Sequence, residues 1–274
     1  MEKAVNPIFI PFHFLGFHNL INCWILSLVS FSIIFILLWK ARRQPQWVPG
    51  GVQNFVELSI EFIWNLAEAQ MGRHVAFFFP LFFTLFFFIF FSNLLGLIPG
   101  LMSPTSRIDV NLGMALIVFF SIHVFGIKEK GFLGHLSHFL PPPIHIEPSA
   151  PFFMKVALRL IALFLFLMMP LIHLIGEFVK PFSLTMRLFG NMMAKEILLG
   201  VLLLLSIGFW AEPSAVKLIS AFPFLLRVLI VVYGVFVSFI QAFVFMMLSM
   251  VYIGGAVKSH QETGDESGKY SAEF

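Results

Sequence analysis

The chain has 274 residues, 59% of them hydrophobic and only 11% charged, and its mean hydropathy of +0.94 belongs to an integral membrane protein. Its net charge of +3 is a small excess among few charges, which excludes a nucleic-acid binder because no basic cluster of useful size exists. The single cysteine, Cys23, excludes an internal disulfide and cysteine-rich metal sites.

Residues 1–19 read as an outer N-terminal segment, without the basic region of a cleaved signal peptide. Residues 20–39 carry no charge and have the length of one span. Cys23, within that run, is expected to face lipid or to pack as a small residue. Lys40, Arg42 and Arg43 follow at once, so the positive-inside rule puts this end in the cytoplasm. Pro45, Pro49, Gly50 and Gly51 then break the chain. In residues 52–72, Val56, Ile60, Ile63 and Leu66 alternate with Glu57, Glu61 and Glu68. That spacing predicts an amphipathic helix on the cytoplasmic surface.

Residues 75–127 form a predicted helical hairpin, with spans at Val75–Ile98 and Val110–Ile127 and a short outer loop between them. The 38 phenylalanines of the chain fit surfaces that face lipid. Lys128, Glu129 and Lys130 mark the cytoplasmic end, and Gly131–Pro151, with Pro141, Pro142, Pro143 and Pro148, reads as a stiff loop.

Residues 152–257 are expected to form a long tilted helix pair that carries the ion path. As one straight helix, residues 152–207 would extend about 84 Å, against a bilayer core of ~30 Å. The segment therefore crosses twice or runs far off the membrane normal, with Pro170, Gly176 and Pro181 permitting bends. The distribution of lysine and arginine favours the single tilted crossing, because a double crossing moves Lys180 and the tail outside. Residues 258–274 read as a polar cytoplasmic tail. The predicted fold class is thus an all-α integral membrane protein with about five membrane-embedded helices. The last two are long and strongly tilted, and one amphipathic surface helix is added.

Arg187 is the residue to explain first. It lies in one of the most apolar stretches, where a charge costs roughly 2.5–3.5 kcal/mol even on the gentlest insertion scale. Arginine cannot shed its proton to escape that cost, so it needs a partner. With about 100° per residue, Lys180 falls near +20° of Arg187, and Asn191 and His173 both near +40°. Glu177 continues this stripe at its edge, while Glu196 falls on the opposite face, about 180° away. An arginine face and a carboxylate face on one helix suit two separate aqueous access routes. Glu177 and Lys180 also have the spacing of an i, i+3 pair that neutralises itself.

Lys195 reads as a lysine near the interface that snorkels. Gln241 can orient a guanidinium across a helix–helix contact or serve as a packing amide. Arg227 reads as a second functional charge or an anchor at the membrane edge. His135, His138 and His145 lie in the proline-rich stretch without the spacing of a metal site. No phosphate loop, nucleophile elbow or metalloprotease motif is present, so no cofactor, metal or covalent chemistry is expected.

Ser183-Leu184-Thr185-Met186-Arg187-Leu188-Phe189-Gly190-Asn191-Met192-Met193-Ala194 resembles the signature of subunit a of bacterial-type F-type ATP synthases. Gln241-Ala242-Phe243-Val244-Phe245-Met246-Met247-Leu248, and Asp109-Val110-Asn111 leading into Met114-Ala115-Leu116, resemble two further segments of it. The resemblance covers about residues 50 to 257. It implies a non-catalytic stator beside a rotating c-ring, held by the b-subunit peripheral stalk in a bacterial inner membrane and translocating protons through two half-channels. It further implies that Arg187 attracts the ring carboxylate, that Asn191 and Gln241 line the same interface, and that Glu196 serves the outer half-channel.

Two departures stand out. Some members carry a histidine or acid where this chain has Gly234, and many carry an acid where it has His173, with Glu177 one turn later; the resemblance implies that this pair replaces the acid in the ion path. The alternative reading is a polytopic channel or secondary transporter that uses Arg187 to bind an anionic substrate.

Overall fold

The computed structural model describes residues 17–43, 50–98, 101–137, 152–210 and 221–258. Most of the expected N-terminal segment, the break at 44–49, the prolines of the 131–151 stretch with His138 and His145, and the polar tail lie outside the described residues. The described chain is helical throughout: α1 (Phe17–Arg43), α2 (Gly51–Met71), α3 (Val75–Leu95), α4 (Ile108–Ser137), α5 (Phe152–Trp210) and α6 (Ala221–Lys258), with 3₁₀ turns at Gly72–His74 and Pro104–Ser106. Among the described residues five helices are long and apolar enough to cross a membrane. Of the described α-helices α2 alone falls outside that set, and the last two are the longest.

Several bounds differ from expectation for physical reasons. α1 continues past its apolar run through Lys40, Arg42 and Arg43 in its last turn, where cations complement the helix dipole. α4 does not end at the cytoplasmic charges. The chain breaks at Gly131, whose φ of 72° only glycine adopts freely, and turns helical again as far as Ser137. Residues 152–210 form one helix with Pro170 and Pro181 inside it. Its apolar stretch of 48 residues is more than twice the ~20 that a perpendicular crossing needs.

The chain divides into two compact units, one of residues 1–114 and 185–250, the other of 115–184 and 251–274. In the first, α2 packs against α1 and α3. Val56, Ile63, Ala67 and Met71 are buried there, while Glu57, Glu61 and Glu68 are exposed, as the spacing predicts. Gly72, at φ 55°, donates its N–H to the Glu68 carbonyl and closes α2. The chain then passes directly into α3.

The phenylalanines of α3 correct an expectation. Phe78, Phe82, Phe83, Phe86, Phe87 and Phe88 are buried rather than turned to lipid. Phe88 stacks on Phe31 of α1 with centroids 4.6 Å apart, and Phe86 meets Phe239 of α6 edge-on at 5.7 Å. Aromatic pairs of these geometries contribute about 0.5–1.5 kcal/mol beyond their buried area. Lipid offers no hydrophobic drive between helices, so such packing and interhelical hydrogen bonds must hold the bundle.

The α3–α4 connection is tied down by polar contacts. Ser30 of α1 and Ser92 of α3 share a hydrogen bond of 3.1 Å. Ser103 Oγ donates to the Ser92 carbonyl at 2.8 Å, and Thr105 Oγ1 donates to Asn93 Oδ1. Asn111 of α4 donates to the Thr105 carbonyl at 2.7 Å. Cys23 is buried beside this connection, its thiol 3.9 Å from the Pro104 carbonyl, so it packs and does not face lipid. In the second unit, Phe119 of α4 meets Phe178 of α5 at 5.8 Å.

Candidate functional site

From Ser183 onward the single helix α5 has two contrasting faces, and from Thr185 it belongs to the first unit. Leu184, Leu188, Met192, Lys195, Leu199 and Leu202 recur every three or four residues and are all buried. The other face shows Ser183, Met186, Arg187, Gly190, Asn191, Ala194 and Ile197, all exposed. Among the described residues the Arg187 guanidinium makes no hydrogen bond or ion pair. A methyl group added at Gly190 would meet nothing within 4 Å. The arginine therefore stands on an open strip whose neighbours Ser183, Gly190 and Ala194 are small.

Asn191, one turn on from Arg187, donates its amide to Gln241 Oε1 of α6 at 2.9 Å. Gln241 is 5% exposed, so this bond serves an amide that water reaches poorly. It is the contact expected of a packing amide, one of the two readings of Gln241.

Lys195 departs from the snorkelling reading. It is 8% exposed, and its ammonium donates to Ser238 Oγ of α6 at 3.2 Å. Ser238 Oγ in turn donates to the Gly234 carbonyl at 2.6 Å. The spacing of Lys195 from Met192 and Leu199, on the buried stripe, is the signal that identifies it. Gly234 itself is buried, and a Cβ there would lie 2.6 Å from Leu97 Cδ2, so Leu97 fills the space a side chain would need.

Glu196, the next residue of α5, turns toward the α3–α4 connection. Its Oε1 accepts the Ser103 backbone N–H at 2.7 Å across 93 residues of sequence. The same oxygen would sit 3.4 Å from a Cβ at Gly96. This partnership had no signal in the sequence, because the donor is a main-chain group.

His173 and Glu177 belong to the second unit. Glu177 accepts a short hydrogen bond from Lys180, whose ammonium also lies 5.5 Å from the centre of the Tyr252 ring. The i, i+3 pair is thus formed. His173 is half-exposed on the same helix. Arg227 of α6 makes no hydrogen bond or ion pair among the described residues.

Such a site offers one exposed, permanently charged cation, one carboxylate held by a backbone donor and a buried amide bridge. Comparison with known proteins identifies the family. The family model "ATP synthase A chain" matches residues 20–254. "ATP synthase subunit a" of Geotalea uraniireducens is 39% identical over 227 residues, 83% of each chain. "ATP synthase subunit a 3" of Pelobacter propionicus is 37% identical over the same length and coverage. "ATP synthase subunit a" of Geobacter sulfurreducens is 37% identical over 233 residues, 85% of each.

Proposed function

Because the chain belongs to the ATP synthase A chain family, we propose that it is the membrane stator against which a ring of c subunits turns, coupling proton flow to ATP synthesis. One observation carries the reading: Arg187 stands exposed on α5 with no partner among the described residues. A guanidinium at membrane depth keeps its charge and requires a counter-charge. The chain leaves that place to a carboxylate on a neighbouring subunit.

A fixed positive charge favours the ionised form of a carboxylate brought within ~4–6 Å. Each ring carboxylate arriving at Arg187 then gives up its proton, and takes one up again only after it has passed. Arginine cannot relay that proton, so it also keeps the two access routes apart. The small residues Ser183, Gly190 and Ala194 let a partner helix approach closely, as small residues do in membrane helix contacts.

Glu196, on the other face of α5, is the outer half-channel carboxylate, and the Asn191–Gln241 bridge shapes the ring-facing surface. His173 and Glu177 lie on the ion path further along the helix. The b-subunit stalk holds the protein against rotation in a bacterial inner membrane. No observation favours an anionic substrate at Arg187.

Disulfide cross-linking tests the ring contact. A cysteine at Ala194, introduced with Cys23→Ser, should cross-link to cysteines on the carboxylate-bearing helix of the ring. A cysteine at Leu199, on the buried stripe, should not. Equal cross-linking at both positions would remove the assignment of this face.

A further inference from the structure

We propose that Gly96 is a positioning residue for Glu196, acting by leaving room for Ser103 to place its backbone N–H on the carboxylate. This rests on the reading of Glu196 as the outer half-channel group.

Gly96 follows the last turn of α3 at φ −68° and ψ −10°, a conformation that any residue adopts. Backbone freedom therefore gives no reason for a glycine here. Space does. A Cβ on residue 96 would lie 2.6 Å from Ser103 Cβ, and 3.4 Å from both Glu196 Oε1 and Met192 Cε. Ser103 Cβ is attached to the main chain, so no side-chain rotation relieves the clash. The backbone at 103 would have to retreat by roughly 1 Å to restore ordinary contact. That retreat would stretch the 2.7 Å bond from Ser103 N to Glu196 Oε1 past the ~3.2 Å limit of a normal N–H···O bond.

Ser103 has little freedom to approach Glu196 by another route. Its hydroxyl is committed to the Ser92 carbonyl and accepts the Thr105 N–H, and its carbonyl accepts from both the Ser106 N–H and the Ser106 hydroxyl. Gly96 donates to the same Ser92 carbonyl at 3.4 Å. The end of α3 and the start of the following 3₁₀ turn thus share one anchor, and the missing side chain at 96 sets the distance between them.

The test uses the assembled complex in inverted vesicles, with ATP-driven acidification as the readout and co-purification with the ring as the check on assembly. Gly96→Ala should lower pumping roughly ten-fold, the scale of one lost hydrogen bond to a charged group. Ser103→Gly removes the clashing Cβ and keeps the N–H, so adding it to Gly96→Ala should restore pumping to the level of Ser103→Gly alone. Ser103→Pro removes the N–H at a φ of −63° that proline accepts, and should match the loss of Gly96→Ala.

Glu196→Gln separates the two ideas. If it pumps normally, the half-channel reading of Glu196 falls, and this inference with it. If Glu196→Gln is impaired while Gly96→Ala pumps normally, only the positioning role is overturned. Failure of Ser103→Gly to rescue, or a Ser103→Pro variant no worse than Ser103→Gly, overturns it as well.

Discussion

Asn191 donates to Gln241 Oε1 across 2.9 Å, closing α5 onto α6 one turn beyond Arg187, which makes no hydrogen bond or ion pair among the described residues. The bond holds two helices together beside the charge they present, and it satisfies the buried amide of Gln241. A double-mutant cycle with Asn191→Ala and Gln241→Ala, scored by unfolding in detergent, should give a coupling of about 1 kcal/mol, within the range measured for membrane interhelical hydrogen bonds. Additive losses would show that the pair is adjacent without being energetically joined.

Lys195 is a cation on a buried stripe, held by one hydroxyl. Removing one partner of a buried polar contact leaves the other unsatisfied, whereas removing both leaves an apolar contact of similar shape. Ser238→Ala should therefore destabilise the protein by about 1–3 kcal/mol on its own and by much less in the Lys195→Met background. Thermal unfolding of the four proteins in one detergent measures this. Equal losses in both backgrounds would mean that Ser238 does not serve the ammonium.

The two closely approached glycines should respond differently. At Gly234 the clashing atom is the end of the Leu97 side chain, which can rotate away. At Gly96 it is a Cβ bound to the main chain. Gly234→Ala should leave pumping and stability close to wild type, with a loss below about 1.5 kcal/mol. Gly234→Phe has no such escape and should lose about 1–3 kcal/mol through overpacking. A Gly234→Ala variant as impaired as Gly96→Ala would show that side-chain mobility does not govern tolerance here.

What the sequence made legible followed from patterns that the membrane imposes. The lengths of the apolar runs placed α1 and α3, because helices that cross lipid must satisfy their own backbone. The alternation of Val56 and Ile63 with Glu57 and Glu61 placed α2 and its buried face. The singular position of Arg187 marked the candidate site.

The rest depended on contacts between distant segments. Nothing local to Glu196 announces Ser103, since a main-chain donor leaves no mark in residue type. The phenylalanines of α3 look the same in sequence whether they meet lipid or one another, because both surroundings are apolar. Lys195 was open to a better reading, since its spacing from Met192 and Leu199 puts it on the buried stripe. A lysine's capacity to snorkel masked that signal.

The central claim is that Arg187 is the charge past which ring carboxylates move. Its most direct test is ATP-driven acidification of inverted membrane vesicles carrying Arg187→Ala, with assembly verified by co-purification of the ring. The complex carrying Arg187→Ala should assemble fully and not pump. Normal pumping by that complex would contradict the claim, since the barrier between the two half-channels would then lie elsewhere.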